Sequence, residues 1–163
     1  MHIKNLGQAL SLQLQALKEL LELLEQETDE MTALNIEAMA EINAKKEAAS
    51  ARIQEHTAPL RQLISEVAAG VGLSVECPLG ELAASLAKQG HKEIVTLHEQ
   101  LNRVAKQVRE VAATNHDIAE RFAATLNQSL NFLTKVLSES NAYGASGSYQ
   151  QRPAGAVMIN MEA

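Results

Sequence analysis

A stretch of fifty residues without glycine or proline, residues 91–140, constrains the fold more than any other part of the chain. Its apolar positions recur about every 3.5 residues, the spacing that keeps an apolar stripe on one face of a helix. At 1.5 Å per residue, a single helix of this length is about 75 Å long. We therefore expect one long helix here, too long to be covered in a simple three-helix globule. The positions of this main stripe are Leu97, Leu101, Val104, Val108, Val111, Asn115, Ile118, Phe122, Thr125, Ser129, Phe132 and Val136.

Three shorter segments before the long helix carry a similar helical periodicity. The helices are expected over about residues 5–32, 35–69, 79–89 and 91–140. The first two helices placed in series are long enough to cover the long one. Residues 141–163 are rich in Gly, Ser, Asn and Gln, a composition typical of a flexible tail. The chain is therefore expected to form a helical bundle over residues 1–140, followed by that tail.

Capping and helix-breaking residues support these boundaries. Asn35 is a good N-cap because its side chain can accept a hydrogen bond from an N–H of the first helical turn. Pro59 removes one backbone donor in the second helix, which predicts a kink near residue 59 or a short break after which Pro59 opens a new helix. Gly90 is placed to end the third helix, as glycine often does at helix C-termini.

Composition agrees with an all-helical fold. Ala, Leu, Glu, Lys and Arg make up 80 of the 163 residues, and the only aromatic residues are two Phe and two Tyr. A sheet would normally contain more aromatic and β-branched residues. The predicted fold class is therefore all-α: an elongated antiparallel helical bundle or coiled coil of three to four helices with a flexible C-terminal tail.

The charge balance and the single cysteine narrow the environment and the partners. Fourteen Lys and Arg against twenty Asp and Glu give a net charge of −6, whereas nucleic-acid binding needs a basic surface. Cys77 alone cannot form an intrachain disulfide, no stretch approaches 18 apolar residues, and the N-terminus carries no signal-like apolar run. We therefore expect a cytoplasmic protein with no membrane span and no nucleic-acid partner.

The motifs of common enzyme classes are missing from the sequence. It has no phosphate-binding glycine loop, no nucleophile elbow and no Glu-x-x-His pair. His116 and Glu120 are one helical turn apart and could share a metal ion, although a surface hydrogen bond is the commoner use of such a pair. The prediction is a protein with no catalytic residues, no metal site and no cofactor. A metal-dependent helical enzyme is a rival interpretation.

The end of the long helix has more apolar surface than one bundle face requires. Beside the main stripe runs a second stripe at 4-3-4 spacing, rotated by roughly 100°. Two stripes mean burial on two sides. One interpretation is the central helix of a three-helix bundle. The other, which we favour, is that one side packs on the protein's own helices and the other binds an amphipathic partner segment. The second stripe consists of Leu126, Leu130, Leu133 and Leu137.

Several local motifs occur together in an informative order. The first helix is Leu-rich and acidic (LKELLELLEQE), and the second carries Lys45 and Lys46. The long helix has Asn115 before a mixed apolar stretch, and a Tyr-Gly-x-x-Gly element beginning at Tyr143 follows it. In this order and composition the chain resembles the FlgN family, the cytosolic bacterial export chaperones for flagellar hook-associated proteins.

The resemblance implies that the last helix and the tail bind cargo and that the Tyr-containing segment docks to the flagellar export gate. The implied cargo-binding residues are Leu126, Leu130, Phe132, Leu133, Val136 and Leu137. The implied gate-docking residues are Tyr143, Gly144 and Gly147. The final 15 residues, with an apolar run over 156–161, match nothing in the family pattern.

The function implied by the resemblance is physical rather than chemical. Such a chaperone binds the C-terminal helical segments of hook–filament junction proteins, prevents their premature assembly and delivers them to the flagellar type III export apparatus. The alternative is a structural coiled-coil adaptor or self-assembling helical bundle without a secretion role, in which the surplus apolar surface forms a homodimer.

Overall fold

A computed structural model of the protein describes residues 2–140, and side chains over residues 2–137. The described residues form four α-helices joined by short connections, with no strand among them. The predicted all-α helical bundle is confirmed. The tail expected over 141–163 lies outside the described residues. The helices are α1 (His2–Ala33), α2 (Ile36–Gly70), α3 (Leu79–Lys88) and α4 (Lys92–Ser140).

The chain divides into two compact units, Met1–Ala119 and Glu120–Ala163. The first unit holds α1, α2, α3 and the N-terminal part of α4. In the second unit the structure describes residues 120–140, which continue α4. Over the described part of the chain, no helix has the length and apolarity needed to cross a membrane.

A two-residue turn reverses the chain between α1 and α2. Leu34 takes a left-handed backbone conformation, with φ of 56°, and its N–H donates to the carbonyl of Met31 at 3.2 Å. The side chain of Asn35 accepts a hydrogen bond from the Ala38 N–H at 3.3 Å, so the predicted N-cap is confirmed. A turn this short places consecutive helices next to each other.

Two ion pairs show that α1 and α2 are antiparallel. Glu19 pairs with Arg52 at 2.7 Å, and Glu27, two turns further along α1, pairs with Lys46, earlier in α2. The two helices therefore lie side by side. The arrangement in series along the long helix, which their lengths would allow, is not adopted, because the tight turn after α1 folds α2 back along it.

Pro59 lies inside α2, which runs without interruption from Ile36 to Gly70. The predicted alternative of a break, with Pro59 opening a new helix, is therefore wrong. Proline lacks the N–H that would bond the carbonyl four residues earlier. Because Pro59 is exposed, water can reach this part of the backbone.

Gly90 ends α3 and turns the chain into α4. Its φ of 102° is a left-handed conformation that glycine adopts without steric cost. The Gly90 N–H donates to the Ala87 carbonyl at 3.1 Å, and the His91 N–H donates to the Leu86 carbonyl at 3.0 Å. This pair of bonds is a Schellman motif, which confirms the predicted role of Gly90.

The core of the first unit is built from all four helices and the connector before α3. Leucines of α1 and α3 pack there with smaller apolar residues of α2, α3 and the connector and with apolar residues of α4 from Ile94 onward. The α1 and α4 helices run parallel: Gly7 lies near Ile94, and Thr28, 21 residues later, bonds Asn115, also 21 residues later. The buried cluster comprises Leu6, Leu10, Leu14, Val67, Ala68, Cys77, Leu82, Ala83, Leu86, Ile94, Leu101 and Val104.

Candidate functional site

The main stripe of α4 is covered over its first part only. Leu101 and Val104 of this stripe are buried, and so is Ile94, which lies three residues before Leu97 and is only 1% exposed. Partly buried positions continue the stripe as far as Ile118. From residue 119 to residue 137, every side chain is exposed. The same helix therefore has a covered segment, residues 94–118, and an exposed segment, residues 119–137.

Asn115 occupies the last buried position of the covered segment, 5% exposed. Its amide nitrogen donates to the Leu24 carbonyl at 2.8 Å and to Glu27 Oε2 at 2.9 Å. Its amide oxygen lies 2.6 Å from the Thr28 hydroxyl, which is also 3.0 Å from the Leu24 carbonyl. The hydroxyl has one proton, so it donates to one of these two acceptors at a time. The amide is thus bonded through both of its polar atoms to α1.

Lys46 completes this buried polar cluster from α2. Its ammonium group pairs with Glu27 Oε1, the oxygen that Asn115 does not use. The side chains of Lys46 and Glu27 are 21% and 12% exposed. Both carboxylate oxygens of Glu27 are bonded, one by each neighbouring helix. The cluster therefore joins α1, α2 and α4 in a single register, because a shift of one helix would leave a buried polar group unpaired.

The periodicity anticipated only part of this cluster. In the sequence, Asn115 lies on the main stripe of α4, and Lys46 lies at helical spacing between the apolar residues Ile42 and Ala49 of α2. Glu27 reads as one acid of an acidic helix. A lysine on a core position requires a nearby anion, and this requirement is the signal that could have directed attention to an acid on a neighbouring helix.

The exposed segment carries seven large apolar side chains. Their exposed fractions lie between 43% and 66%, in contrast to the buried stripe earlier in the helix. Six of the seven are the cargo-binding residues implied by the sequence. We call this set the apolar face of α4. It consists of Phe122, Leu126, Leu130, Phe132, Leu133, Val136 and Leu137.

Both predicted stripes of the exposed segment are exposed to solvent. The interpretation of this segment as the central helix of a three-helix bundle is therefore wrong. The expectation that one stripe packs on the protein's own helices is also wrong, since Phe122 and Val136 of the main stripe are exposed along with the leucines of the second. The physical reason is the length of the cover: α1 ends five residues after Thr28, and the exposed segment begins four residues after Asn115.

The polar residues of the exposed segment are compatible with burial against a partner. No charged residue occurs from Phe122 to Thr134. The hydroxyls of Thr125, Ser129 and Thr134 donate to backbone carbonyls four residues earlier in the same helix, at 2.9 to 3.0 Å. Depletion of charge is typical of the buried core of protein–protein interfaces. Covering this face would leave no charge and no hydroxyl of these three residues to be paired.

A shallow groove lies between the N-terminal parts of α1 and α4. It is lined by apolar residues such as Leu12 and Leu97, with His91 and Glu93 at its edge. The Glu93 carboxylate accepts a backbone hydrogen bond at the start of α4, and a second bond from His91 at 3.0 Å, and together these hold its pKa below the ordinary value. This is the behaviour of an acid in the first turn of a helix.

The other predicted site residues have different outcomes. Among the side chains of residues 2–137, no group of three or more His, Cys, Asp or Glu is close enough to hold a metal ion. Cys77, in the connector before α3, is buried in the core cluster. The proposed gate-docking residues Tyr143, Gly144 and Gly147 lie outside the described residues.

A helical bundle whose longest described helix carries an exposed apolar face, without charge from Phe122 to Thr134, has the features of helical proteins that bind other proteins. Comparison with known families is specific: the chain matches the family described as FlgN protein over residues 1–151. The chain belongs to the FlgN family, a family of flagellar export chaperones. The resemblance seen in the sequence is confirmed. No curated protein and no solved structure matches the chain.

Proposed function

We propose that the protein is a cytoplasmic export chaperone that binds the C-terminal helical segments of flagellar hook-associated proteins. Membership of the FlgN family establishes a role in flagellar export in general terms. The observation that carries a protein-binding site is the apolar face of α4, which is exposed along residues 122–137. The choice of hook-associated proteins as cargo comes from the family resemblance. A face of about four helical turns suits an amphipathic helix laid along it.

The cargo contacts in this proposal are Leu126, Leu130, Leu133 and Leu137 of the second stripe, with Phe132 and Val136 beside them. An unassembled cargo terminus exposes an apolar helical stripe that would otherwise aggregate or assemble early. Packing the cargo's stripe against the apolar face of α4 removes both surfaces from water. Transferring one leucine side chain out of water contributes about 1.5–3 kcal/mol, so a few such contacts give useful affinity.

Release is coupled to the export machinery. Ordering a disordered cargo segment costs about 2–5 kcal/mol of the gross interaction, which keeps the complex releasable. The sequence carries no nucleotide-binding loop, so we assign the energy for release to another machine. We propose that Tyr143, with Gly144 and Gly147, docks the complex to the gate of the flagellar type III export apparatus while the apolar face holds cargo.

The experiment that tests the cargo face compares two leucines with equal exposure. Leu133 on the apolar face and Leu12 on α1 are each 54% exposed. Affinity for a C-terminal fragment of a hook-associated protein is measured by calorimetry for Leu133→Asp and Leu12→Asp. We expect Leu133→Asp to lower affinity by about tenfold to a hundredfold, because it loses one leucine contact and introduces a charge. Leu12→Asp should bind as the wild type does.

Circular dichroism of both variants completes this test. Both should keep the helical signal of the wild type, because neither leucine is buried. Equal cargo affinity for the two variants would overturn the proposed face. A loss of helix in Leu133→Asp alone would show that Leu133 has a structural role instead.

The alternative function, a structural adaptor or self-assembling bundle, uses the same apolar face to join identical chains. Light scattering over a range of concentrations separates the two functions. If the protein is a chaperone that keeps its apolar face available for cargo, any dimer of the chain is expected to dissociate on dilution. If it is an adaptor, the dimer stays stable on dilution and is lost in Leu130→Asp.

A further inference from the structure

The apolar run near the end of the sequence is not explained by family membership. Residues 156–161 read Ala-Val-Met-Ile-Asn-Met, and the match to the FlgN family ends at residue 151. The first unit has its own core, whereas the apolar face of α4 is exposed. We propose that residues 156–161 pack against the apolar face of α4 in the same chain and compete there with cargo.

The distance between the two segments suits an intramolecular contact. Fifteen residues, 141–155, separate the end of α4 from the run, and they include Gly144, Gly147 and Gly155. A glycine- and serine-rich linker of this length has an average span of about 20 Å. The middle of the apolar face lies about 15 Å along the helix from Ser140. A linker whose span matches the distance gives an effective concentration in the millimolar range.

The chemistry of the run fits that of the face. Residues 156–161 carry no charge, like α4 from Phe122 to Thr134. Val157, Ile159 and the two methionines are large apolar side chains, and methionine adapts to irregular apolar surfaces. The four large side chains of the run can cover only part of a face that has seven. A longer amphipathic cargo helix therefore buries more apolar area and displaces the run.

The consequence for cargo binding rests on the proposed function, whereas the contact itself does not. When the run occupies the apolar face, that molecule cannot bind cargo. The apparent affinity for cargo is therefore the intrinsic affinity multiplied by the fraction of molecules whose face is free. If the run covers the face in half to nine-tenths of molecules, its removal strengthens cargo binding by about twofold to tenfold. The full-length double variant Val157→Asp with Ile159→Asp is expected to show this gain.

Site-specific cross-linking tests the contact without cargo. A photo-reactive benzoylphenylalanine replaces Met158 in the full-length chain, and a matched protein carries it at Gln150 in the linker. Trypsin cuts after Arg121 and Lys135, so most of the apolar face is released as one peptide, 122–135. We expect the probe at position 158 to link to that peptide within a single chain, more efficiently than the probe at 150, and the Leu130→Asp change to reduce this link.

Three results would overturn the proposal: links mainly to residues 2–118, a covalent dimer as the main product, or equal yields from positions 158 and 150. Calorimetry with the cargo fragment keeps this failure separate from failure of the proposed function. If Leu133→Asp still weakens cargo binding while the cross-link is absent, only the competing contact is wrong. If the cross-link forms and Leu133→Asp binds cargo normally, the contact stands and the cargo face is wrong.

Discussion

The covered and exposed segments of α4 share one helix and one apolar period but differ in their surroundings. Over residues 94–118 the main stripe packs into the core of the first unit, and over 119–137 every side chain is exposed. Periodicity thus shows which positions share a helix face. It does not show whether another part of the chain covers that face. In the proposed function, the exposed segment is therefore the part of α4 that binds cargo.

The turn between α1 and α2 determines how far these two helices cover the apolar stripe of α4. Leu34 and Asn35 fold α2 back beside α1. The two helices therefore cover α4 side by side, and the length that they cover is shorter than their combined length. The buried polar cluster around Asn115 lies close to the end of α1 and is followed within four residues by the exposed segment. Apolar residues continue beyond it in the sequence, which indicates a use other than packing within the bundle.

The largest contrast between the segments is expected from a charge at matched apolar positions. Ile94→Asp places a carboxylate at a position only 1% exposed and should destabilise the protein by at least about 3 kcal/mol, or prevent folding. Leu130→Asp, at a position 60% exposed, should change the free energy of unfolding by less than about 0.5 kcal/mol. Urea denaturation measures both values. Comparable losses in the two variants would break the distinction between the segments.

A smaller contrast is expected between polar residues of the same stripe. Asn115→Ala leaves one oxygen of Glu27 without its buried donor and removes one of the donors to the Leu24 carbonyl, which should cost about 1–3 kcal/mol. Thr125→Ala removes a hydroxyl bonded only within its own helix at an exposed position and should cost close to nothing. Thermal denaturation of the two variants provides the comparison. If Thr125→Ala proves the more destabilising, the assignment of covered and exposed polar positions is wrong.

The smallest contrast is expected between two neighbouring lysines of α2, one inside the buried polar cluster and one outside it. Lys46 pairs with Glu27 in the buried cluster, whereas its neighbour Lys45 is exposed. Lys46→Met should destabilise the protein by about 1–2 kcal/mol because Glu27 loses a partly buried charged partner. Lys45→Met should lie within about 0.5 kcal/mol of the wild type. Chemical denaturation of both variants at neutral pH tests this, and equal stabilities would contradict the role given to the cluster.

Much of the local structure could be predicted because its signals are local. The N-cap at Asn35, the helix end at Gly90 and the long uninterrupted helix each follow from one residue type or one period. The family could be identified in the same way, from the order of short motifs. These features depend on neighbours within a few residues, which a single sequence contains in full.

The arrangement of helices could not be predicted with the same success. Leu34 adopts a left-handed conformation that leucine rarely takes. The tight reversal after α1 therefore lacks the glycine that would have predicted it from the sequence. The choice between helices in series and helices side by side depended on that turn. The same choice decides whether the two stripes of α4 are covered. It also decides the pairing of Glu27 with Lys46 and Asn115, which are 19 and 88 positions away in the sequence.

Hydrogen exchange along α4, with and without a C-terminal fragment of a hook-associated protein, tests the separation of covered core from cargo face most directly. We expect the bound fragment to slow amide exchange in peptides spanning residues 122–137, because packing against the apolar face opposes local opening of that segment. Peptides spanning 94–118 should exchange at the same rate in both states. Slower exchange confined to 94–118, with residues 122–137 unchanged, would contradict the assignment of the cargo face.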